Sequence, residues 1–297
     1  MRAFLLKVGG FILAVVAAYA ALFLFVIALN VRAANKSCQL DKDVNAVLLG
    51  DSHIMWSIND DKIPNLRNVA LNAEAYKYSY LKLKRLLAQQ PQIKKVYLGA
   101  GYHNLSSYYD DYIFGGSFKF FAARYLPVLA GRDYAELFMQ SPLEFLRLTK
   151  RAINDGLRPG LKGECELYGT FPDEKHEEVY DPKSMAKRVQ SQYFAQGKLL
   201  GISTSNLHYL EAIAELCRDK GVELILINTP VHGDYFEQVP APFVNKLNDF
   251  VQAHGLRYYD FADFPLSDAA FLPDGDHLNS TGAVLTTEKF RVYHQGH

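Results

Sequence analysis

Three residues near opposite ends of the chain have the types and spacing that serine catalysis needs. Ser52 closely follows the mostly apolar run 44–49, and Asp274 and His277 lie three residues apart on a glycine-containing turn. A serine hydroxyl is a weak nucleophile until a base takes its proton, and a nearby acid fixes the tautomer of that base and stabilises its cation. The pattern predicts acyl chemistry, with Ser52 as nucleophile, His277 as base and Asp274 close enough to orient the imidazole.

The segment that must position Ser52 has the pattern of a buried strand followed by a turn. Residues 44–49 have the length and β-branching of such a strand, and Gly50 breaks it. Open α/β sheets place their chemistry past the carboxyl ends of their strands, and a helix beginning there favours negative charge beside Ser52. Taken alone, Asp51 and Ser52 fit a helix cap slightly better, because both residue types are common caps. The distant Asp274–His277 turn shifts the interpretation to catalysis.

Strand and helix patterns alternate on both sides of a long middle segment. Apolar runs predict four further strands, and segments with helical periodicity separate them. This alternation predicts an α/β fold with a parallel five-stranded sheet, right-handed crossovers and helices on both faces. The predicted strands are 67–71, 93–98, 222–228 and 256–261, and the predicted helices are 72–90, 203–220, 240–254 and 279–293.

Residues 105–200 do not continue this alternation. The segment holds the tyrosine-rich stretch 108–112, a helix pattern over 141–154 and a polar stretch over 156–182. One interpretation is an insertion that forms a cap or wall over the carboxyl edge of the sheet. The other is an elaboration of the crossover helices, and the sequence does not choose between them.

The N-terminal region contains an apolar run, 8–31, that carries no charge and is long enough to cross a bilayer. Basic residues flank the run on both sides, so they do not set its orientation. We predict a retained N-terminal transmembrane helix over 1–31, a linker over 32–43 and a catalytic domain over 44–297 on the periplasmic or extracellular side. The alternative is a cleaved signal peptide, although its apolar core would be unusually long.

The composition limits the classes of function. The 297 residues include 32 basic and 32 acidic side chains, and this zero net charge argues against nucleic-acid binding. The 19 tyrosines and 19 phenylalanines belong mostly in the core, but they also suit a sugar-binding cleft. The three cysteines have no metal-binding spacing; in an exported domain they allow one disulfide with one thiol left over, and Cys217 has the pattern of a core residue.

Two short blocks together resemble those of the SGNH hydrolases, also called the GDSL family. They are Gly50-Asp51-Ser52-His53, in which His53 stands where leucine is usual, and Asp274-Gly-Asp-His277. The resemblance covers roughly residues 44–295 apart from the middle segment. It implies a flavodoxin-like strand order in a three-layer α/β/α fold, and it assigns Asp274 as the orienting acid. Asp276 is then expected to point elsewhere, and Asp51 to be structural.

The same resemblance implies the groups that would stabilise the oxyanion. The backbone N–H of Ser52 is one candidate, and Ala73 in the glycine position of a second block, 68–73, supplies another. In a third block, His103 occupies the usual asparagine position and Asn104 follows it, so either side chain is a candidate donor. The alternative for His103 is a structural histidine.

A loop after the predicted strand 222–228 also reaches the carboxyl edge of the sheet. His232 and Tyr235 on this loop are candidate substrate-binding residues, and the alternative is an ordinary surface loop. A metal site built from Asp274, Asp276 and His277 would leave the Ser52 segment unexplained, so we predict no metal and no cofactor.

These observations predict a serine esterase or O-acyltransferase, with O-acetyl as the expected group, acting on a carbohydrate or polymer of the cell envelope. The expected partners are an acylated or acyl-accepting envelope glycan, the membrane, and a multi-spanning membrane acyltransferase. The alternative is a non-catalytic envelope protein that keeps the fold to bind glycan or to assemble a complex.

Overall fold

The computed structural model describes residues 1–129, 131–172 and 176–295, with only the backbone of 119, 120 and 140. The chain divides into two compact units, each built from two stretches of sequence. Unit 1 contains Met1–Gln39 and Gly116–Leu167, and unit 2 contains Leu40–Gly115 and Tyr168–His297. Ser52, Asp274 and His277 all belong to unit 2.

Unit 2 is built on a five-stranded parallel sheet. The strands of the chain are β1 (Ala46–Leu49), β2 (Leu66–Asn68), β3 (Lys95–Gly99), the short hairpin β4 (Phe194–Ala195) and β5 (Lys198–Leu199), β6 (Glu223–Asn228) and β7 (Arg257–Asp260). The order in the large sheet is β2-β1-β3-β6-β7, and each neighbouring pair is parallel. This is the flavodoxin-like order, so the predicted fold class is confirmed.

Helices cover both faces of this sheet. The helices of unit 2 are α2 (Ser52–Ser57), α3 (Tyr76–Gln89), α4 (Asp110–Ile113), α8 (Pro182–Tyr193), α9 (Thr204–Lys220), α10 (Gly233–Phe236), α11 (Ala241–His254) and α12 (Ser280–Gln295). Successive strand residues point to opposite faces. Val47 and Leu49 belong to the core under α3, α8, α9 and α11, while Ala46 and Leu48 belong to the core with residues of α2 and α12.

Capping residues mark the ends of two of these helices. Ser203 caps α9 by accepting a hydrogen bond from the N–H of Asn206 (2.9 Å), and Gly221 ends that helix in the left-handed conformation. Gly255 ends α11 in the same way, because a residue with φ near +60° is least strained when it has no side chain. By contrast, α3 starts four residues after the predicted position, since residues 72–75 form a turn instead.

Unit 1 is helical. It consists of α1 (Arg2–Ser37), α5 (Phe118–Tyr125), α6 (Gly131–Gln140) and α7 (Pro142–Lys162). α1 is long and apolar enough to cross a membrane, with a mean hydropathy of 2.9 in its most apolar window. It continues through residues 32–37, so the first part of the predicted linker is helical. A disulfide joins Cys38 to Cys165, and Cys217 is a buried free thiol in unit 2.

Candidate active site

The turn between β1 and α2 positions Ser52. Gly50 has a φ of 136°, and a side chain there would approach the backbone nitrogen of Gly99 to 3.2 Å, so the turn fits only glycine without strain. Asp51 then caps α2, because its Oδ1 accepts a hydrogen bond from the N–H of His53 (3.0 Å). Ser52 is therefore the first residue of the helix, and the predicted capping role of Asp51 is also present.

A short loop positions His277 on the opposite side of the cleft. Gly275, at a φ of 69°, makes the turn between Asp274 and His277. Asp274 Oδ1 tightens this turn by accepting a hydrogen bond from the backbone N–H of His277 (3.2 Å). Asn279 fixes the end of the loop, since its side-chain oxygen accepts hydrogen bonds from the first turn of α12.

The two segments bring the predicted trio together. Ser52 Oγ lies 2.8 Å from His277 Nε2, and His277 Nδ1 lies 2.7 Å from Asp274 Oδ2. Ser52 and His277 are 225 residues apart in sequence. The distances are those of hydrogen bonds, and their order is the one that an activated serine needs.

Asp276 was expected to point away from His277, but the structure places it beside the imidazole. Its Oδ1 is 3.0 Å from His277 Nδ1, although the N–H of that nitrogen is directed at Asp274. Its Oδ2 accepts hydrogen bonds from Arg188 Nε (2.8 Å) and from Gln192 Nε2 (2.7 Å). Arg188 and Gln192 lie four residues apart on α8, and so share one face of that helix. Asp276 is thus a second, buried carboxylate behind the imidazole.

This second carboxylate changes the protonation of His277. Burial alone would lower the pKa of His277, but the charge of Asp276 and the hydrogen bond to Asp274 outweigh burial and raise this pKa to about 10. Burial would raise the pKa of Asp276, yet the nearby His277 and Arg188 charges hold it well below its usual range. At neutral pH the resting site therefore contains an imidazolium that must lose a proton before it can act as a base.

His53, in the position where leucine is usual, lies in a stack of histidine rings. Its ring centroid is 3.9 Å from that of His103 and 4.6 Å from that of His277. Burial, together with the two neighbouring histidines, lowers the pKa of His53 to about 4. Its Nε2 is 3.3 Å from Asp276 Oδ2 and forms no hydrogen bond with any described residue. His53 is therefore neutral at physiological pH and adds no charge beside His277.

His103 and Asn104 are not positioned as oxyanion donors. His103 Nε2 and Asn104 Nδ2 both bond to Asp51 Oδ2, at 2.9 and 2.7 Å, and the hydroxyl of Tyr109 donates to the same oxygen. Burial would raise the pKa of Asp51, but these partners and His53 hold it well below its usual range. Neither His103 nor Asn104 lines the cleft. Their donors are committed to the residue that caps α2.

The two backbone candidates for the oxyanion are placed differently. Ser52 and Ala73 both line the cleft, and neither backbone N–H donates to another residue in the described part of the chain. The N–H of Ser52 is free because it belongs to the first turn of α2. Ala73 has a φ of 55°, a left-handed conformation that a glycine would adopt with less strain. This observation agrees with its position in the glycine slot of the second block.

His232 and Tyr235 lie behind the loop of His277 instead of lining the cleft. His232 is buried and stacks on Tyr180 at 3.6 Å, and its backbone N–H donates to the carbonyl of Gly275 (2.7 Å). The hydroxyl of Tyr235 donates to Gln192 Oε1, and Gln192 in turn bonds to Asp276. The structure therefore does not place these two residues in the cleft wall, where the prediction put them. They support the loop and its carboxylate.

The cleft beside Ser52 has a volume of about 330 Å³. Part of its wall comes from the segment 105–200, which supplies Tyr108, Tyr109, Tyr112 and Arg188. None of these wall residues was predicted to be a site residue. The only available signals were the i, i+4 spacing of tyrosines in 108–112 and of polar residues on α8. The cleft residues outside the predicted site are Trp56, Asn72, Tyr108, Tyr109, Tyr112, Arg188 and Leu272.

One group of side chains in this site has metal-ligand chemistry. Ligand atoms of His53, Asp276 and His277 lie within 4.8 Å of one another. However, Asp276 Oδ2 already accepts from Arg188 and Gln192, and both nitrogens of His277 are used by Ser52 and Asp274. A cation would have to displace these bonds beside the Arg188 charge, so these three residues fit a metal ion poorly.

Comparisons with known proteins give a likeness of fold at low similarity. No protein-family model and no curated protein sequence matches the chain. A solved structure provisionally described as an acylhydrolase, from Bacteroides fragilis, is 11% identical, covers 84% of this chain and 86% of its own, and has a TM-score of 0.39. A GDSL-like lipase from Bacteroides thetaiotaomicron is 9% identical, with coverages of 89% and 94% and a TM-score of 0.41. At these values neither likeness carries a conclusion about activity.

Proposed function

We propose that this protein is a serine enzyme that hydrolyses or transfers acyl groups through an acyl-serine intermediate. The observation that carries the proposal is the hydrogen-bonded chain from Ser52 Oγ through His277 to Asp274. Among its residues only the serine can form an ester; His277 is within hydrogen-bond reach of the serine proton, and Asp274 orients His277. Two further residues, the neutral His53 and the buried Asp276, lie next to His277 but outside this hydrogen-bonded chain.

The reaction begins when His277 is in its neutral form. Nε2 takes the proton of Ser52 as Oγ attacks the ester carbonyl, and the imidazolium then gives that proton to the departing alcohol. Asp274 Oδ2 holds the Nδ1–H throughout, so the correct nitrogen faces the serine. Water or an acceptor hydroxyl then attacks the acyl-serine by the same route. Hydrolase and transferase differ only in this second step.

Two N–H groups are available for the negative charge that develops on the carbonyl oxygen. These are the backbone donors of Ser52 and Ala73, which line the same cleft. Such donors typically contribute about 10²–10³-fold each to turnover. The position of Ser52 at the start of α2 adds the favourable end of a helix dipole.

The walls of the cleft favour a carbohydrate substrate. Trp56 and three tyrosines supply flat apolar surfaces with polar edges, which suit sugar rings, and Arg188 supplies a positive charge. We propose an O-acylated or acyl-accepting envelope glycan, with O-acetyl as the group moved and a multi-spanning membrane acyltransferase as a partner. An exported location is favoured by α1 and by the Cys38–Cys165 disulfide, since disulfides persist in oxidising compartments.

The direct test is labelling of the full chain with a fluorophosphonate probe. We expect the wild type and the control Ser191→Ala, which removes an exposed hydroxyl on α8, to label equally, and Ser52→Ala not to label. Ser52→Ala should also abolish turnover of p-nitrophenyl acetate while changing stability by no more than about 1 kcal/mol. Equal labelling of Ser52→Ala and wild type would refute the assignment of the nucleophile.

Two further measurements address the acceptor and the location. Addition of a polysaccharide acceptor should accelerate release of p-nitrophenol if the enzyme is a transferase and leave it unchanged if it is a hydrolase. A C-terminal alkaline phosphatase fusion should be active, because that reporter needs an oxidising compartment. Activity only of a cytoplasm-dependent reporter would contradict the proposed topology.

A further inference from the structure

Unit 1 carries exposed apolar side chains on helices other than α1. They cluster around the junction of α6 and α7 and at the end of α7: Phe138, Met139, Leu143, Leu146, Leu157 and Leu161. An apolar group of this size on two adjoining helices marks a contact surface. What covers it is indicated by the way α7 packs on α1.

α7 lies along α1 in the same direction. Tyr19 OH is 2.9 Å from Thr149 Oγ1, Asn30 Nδ2 donates to the carbonyl of Gly156 (2.9 Å), and Ser37 Oγ donates to the carbonyl of Gly163. Residue numbers increase along both helices from one contact to the next, so the two helices are parallel. α7 therefore follows α1 over its C-terminal half.

Two glycines permit this close packing. A side chain at Gly156 would approach Asn30 Nδ2 to 3.0 Å and Val26 Cγ1 to 3.3 Å, and one at Gly160 would approach Leu29 Cβ to 3.1 Å. Small residues spaced four apart are the pattern by which helices associate within membranes. Val26 is completely buried in this contact, although most of α1 is exposed.

The register fixes the depth of α7. Tyr19 lies about 18 Å before the end of the apolar run 8–31, at 1.5 Å per residue, and the hydrocarbon core of a bilayer is about 30 Å thick. Thr149 is thus level with the middle of that run. Leu143 and Leu146 precede Thr149 on α7 and lie no nearer to the outer end. If α1 crosses the membrane, these leucines are at the depth of the lipid acyl chains.

The charges of α7 are compatible with this depth. Arg147 pairs with Glu144, and Arg151 pairs with Asp155 at 3.0 Å. Paired charges are the form in which ionised residues occur within membranes. Lys150 is exposed and lies one residue beyond Thr149, too deep for its side chain to reach the headgroups, so its charge requires a local thinning of the bilayer.

We infer that α6 and α7 are immersed in the membrane beside α1, near the middle of its apolar run, with phospholipid acyl chains against Phe138, Met139, Leu143 and Leu146. This inference rests on the proposed anchoring of α1. Unit 1 is then an intramembrane helical cluster in which α1 is the only spanning helix described. The chain would then be anchored in the membrane by α6 and α7 as well as by α1.

The test is fluorescence of an environment-sensitive nitrobenzoxadiazole label on the full chain in phosphatidylcholine–phosphatidylglycerol nanodiscs. Single labels are placed at Leu143→Cys and Leu146→Cys in a Cys217→Ala background that keeps the native disulfide. Val15→Cys in α1 is the lipid reference, and the exposed Lys198→Cys in unit 2 is the water reference. Lys162→Cys, at the far end of α7, is the matched control on the same helix.

We expect the labels at 143 and 146 to emit at the blue-shifted wavelength of position 15 and to be quenched several-fold more by doxyl lipids than by iodide. Position 162 should resemble position 198. Water-like emission at 143 and 146, with lipid-like emission at 15, would overturn the inference and leave the anchor intact. Water-like emission at 15 would overturn both. Fluorophosphonate labelling of the same discs reports the proposed catalytic function independently of every one of these outcomes.

Discussion

His277 differs from a simple triad histidine because two carboxylates face it. Asp274 accepts its Nδ1–H, and Asp276 contributes a buried negative charge 3.0 Å from the same nitrogen. The charge raises the pKa of His277 to about 10, against the effect of burial. A general base works best when its pKa lies near the operating pH, so this residue determines the pH at which the site functions.

We expect kcat/KM for p-nitrophenyl acetate to rise with pH from neutrality toward about 10, because the neutral base becomes more populated as His277 loses its proton. Asp276→Asn removes the charge that holds this proton and should move the rise to lower pH. The measurement is a pH–rate profile, with the Ser52→Ala protein as the background for spontaneous hydrolysis. A rise near the ordinary histidine pKa of about 6.5 that Asp276→Asn does not move would contradict this explanation.

Asp274→Asn should behave differently from Asp276→Asn. The amide would favour the wrong tautomer of His277, so turnover should fall at every pH, on the order of 10⁴-fold as for other orienting aspartates. The two variants are matched in volume and charge, so comparison of their full profiles separates orientation from electrostatics. Equal loss in both, with unchanged pH dependence, would mean that the two carboxylates act as one.

At the scale of elements, the turn from β1 to α2 depends on Asp51. Its carboxylate caps α2 and accepts hydrogen bonds from His103, Asn104 and Tyr109. These partners all come from the segment after β3, so Asp51 joins the carboxyl ends of two adjacent strands. Ser52 is held in place by this junction.

Asp51→Ala should lower the free energy of unfolding by at least about 3 kcal/mol, because it removes a helix cap and leaves buried donors unsatisfied. His103→Ala and Asn104→Ala should each destabilise the protein, by about 1–3 kcal/mol, and not only lower its turnover. Urea unfolding followed by circular dichroism measures all three, with the exposed Asp61→Ala as control. A change of less than 1 kcal/mol for Asp51→Ala would show that the junction is dispensable.

The sequence predicts the elements of unit 2 well where a local pattern specifies them. Residues 46–49 and 223–228 are strands because short apolar runs favour buried strands. Ser203 and Gly221 mark the ends of α9. The orientation of Asp276 could not be predicted in this way. It depends on Arg188 and Gln192, which are far away in sequence and have no motif.

Side-chain orientation was equally unpredictable for the other histidines and for the tyrosines. His103 and His232 follow strands, as expected for site residues, but their contacts lie outside the cleft: His103 bonds to the buried Asp51, and His232 stacks on the half-buried Tyr180. The tyrosines of 108–112 reach the cleft only because their segment folds back within unit 2. Position at the edge of a sheet is predictable, whereas the direction of a side chain depends on its neighbours in space.

At the scale of the whole molecule, unit 1 depends on a covalent link between its two stretches of sequence. The Cys38–Cys165 disulfide spans a sequence separation of 127 residues. Closing so long a loop restricts the unfolded chain, and native disulfides typically contribute about 2–4 kcal/mol. The link lies at the end of α1, where Ser37 also bonds to Gly163.

Cys165→Ser should therefore lower the stability of unit 1 by about 2–4 kcal/mol. The measurement is thermal unfolding of the full chain in nanodiscs, with and without dithiothreitol. The reductant should shift the wild type and the control Cys217→Ala but not Cys165→Ser. If the reductant shifts none of the three proteins, the disulfide does not stabilise the fold.

The separation of 225 residues between Ser52 and His277 also determines when the site exists during biosynthesis. Ser52 leaves the ribosome early, but its base follows only after β6, β7 and the loop beyond them. A nascent chain that stops short of residue 277 has a serine with no activating partner, and such a hydroxyl is inert toward esters. On the proposed mechanism and the proposed exported location, the polypeptide would cross the membrane before its serine can react. Acyl chemistry begins only once the late-emerging strands have joined the sheet.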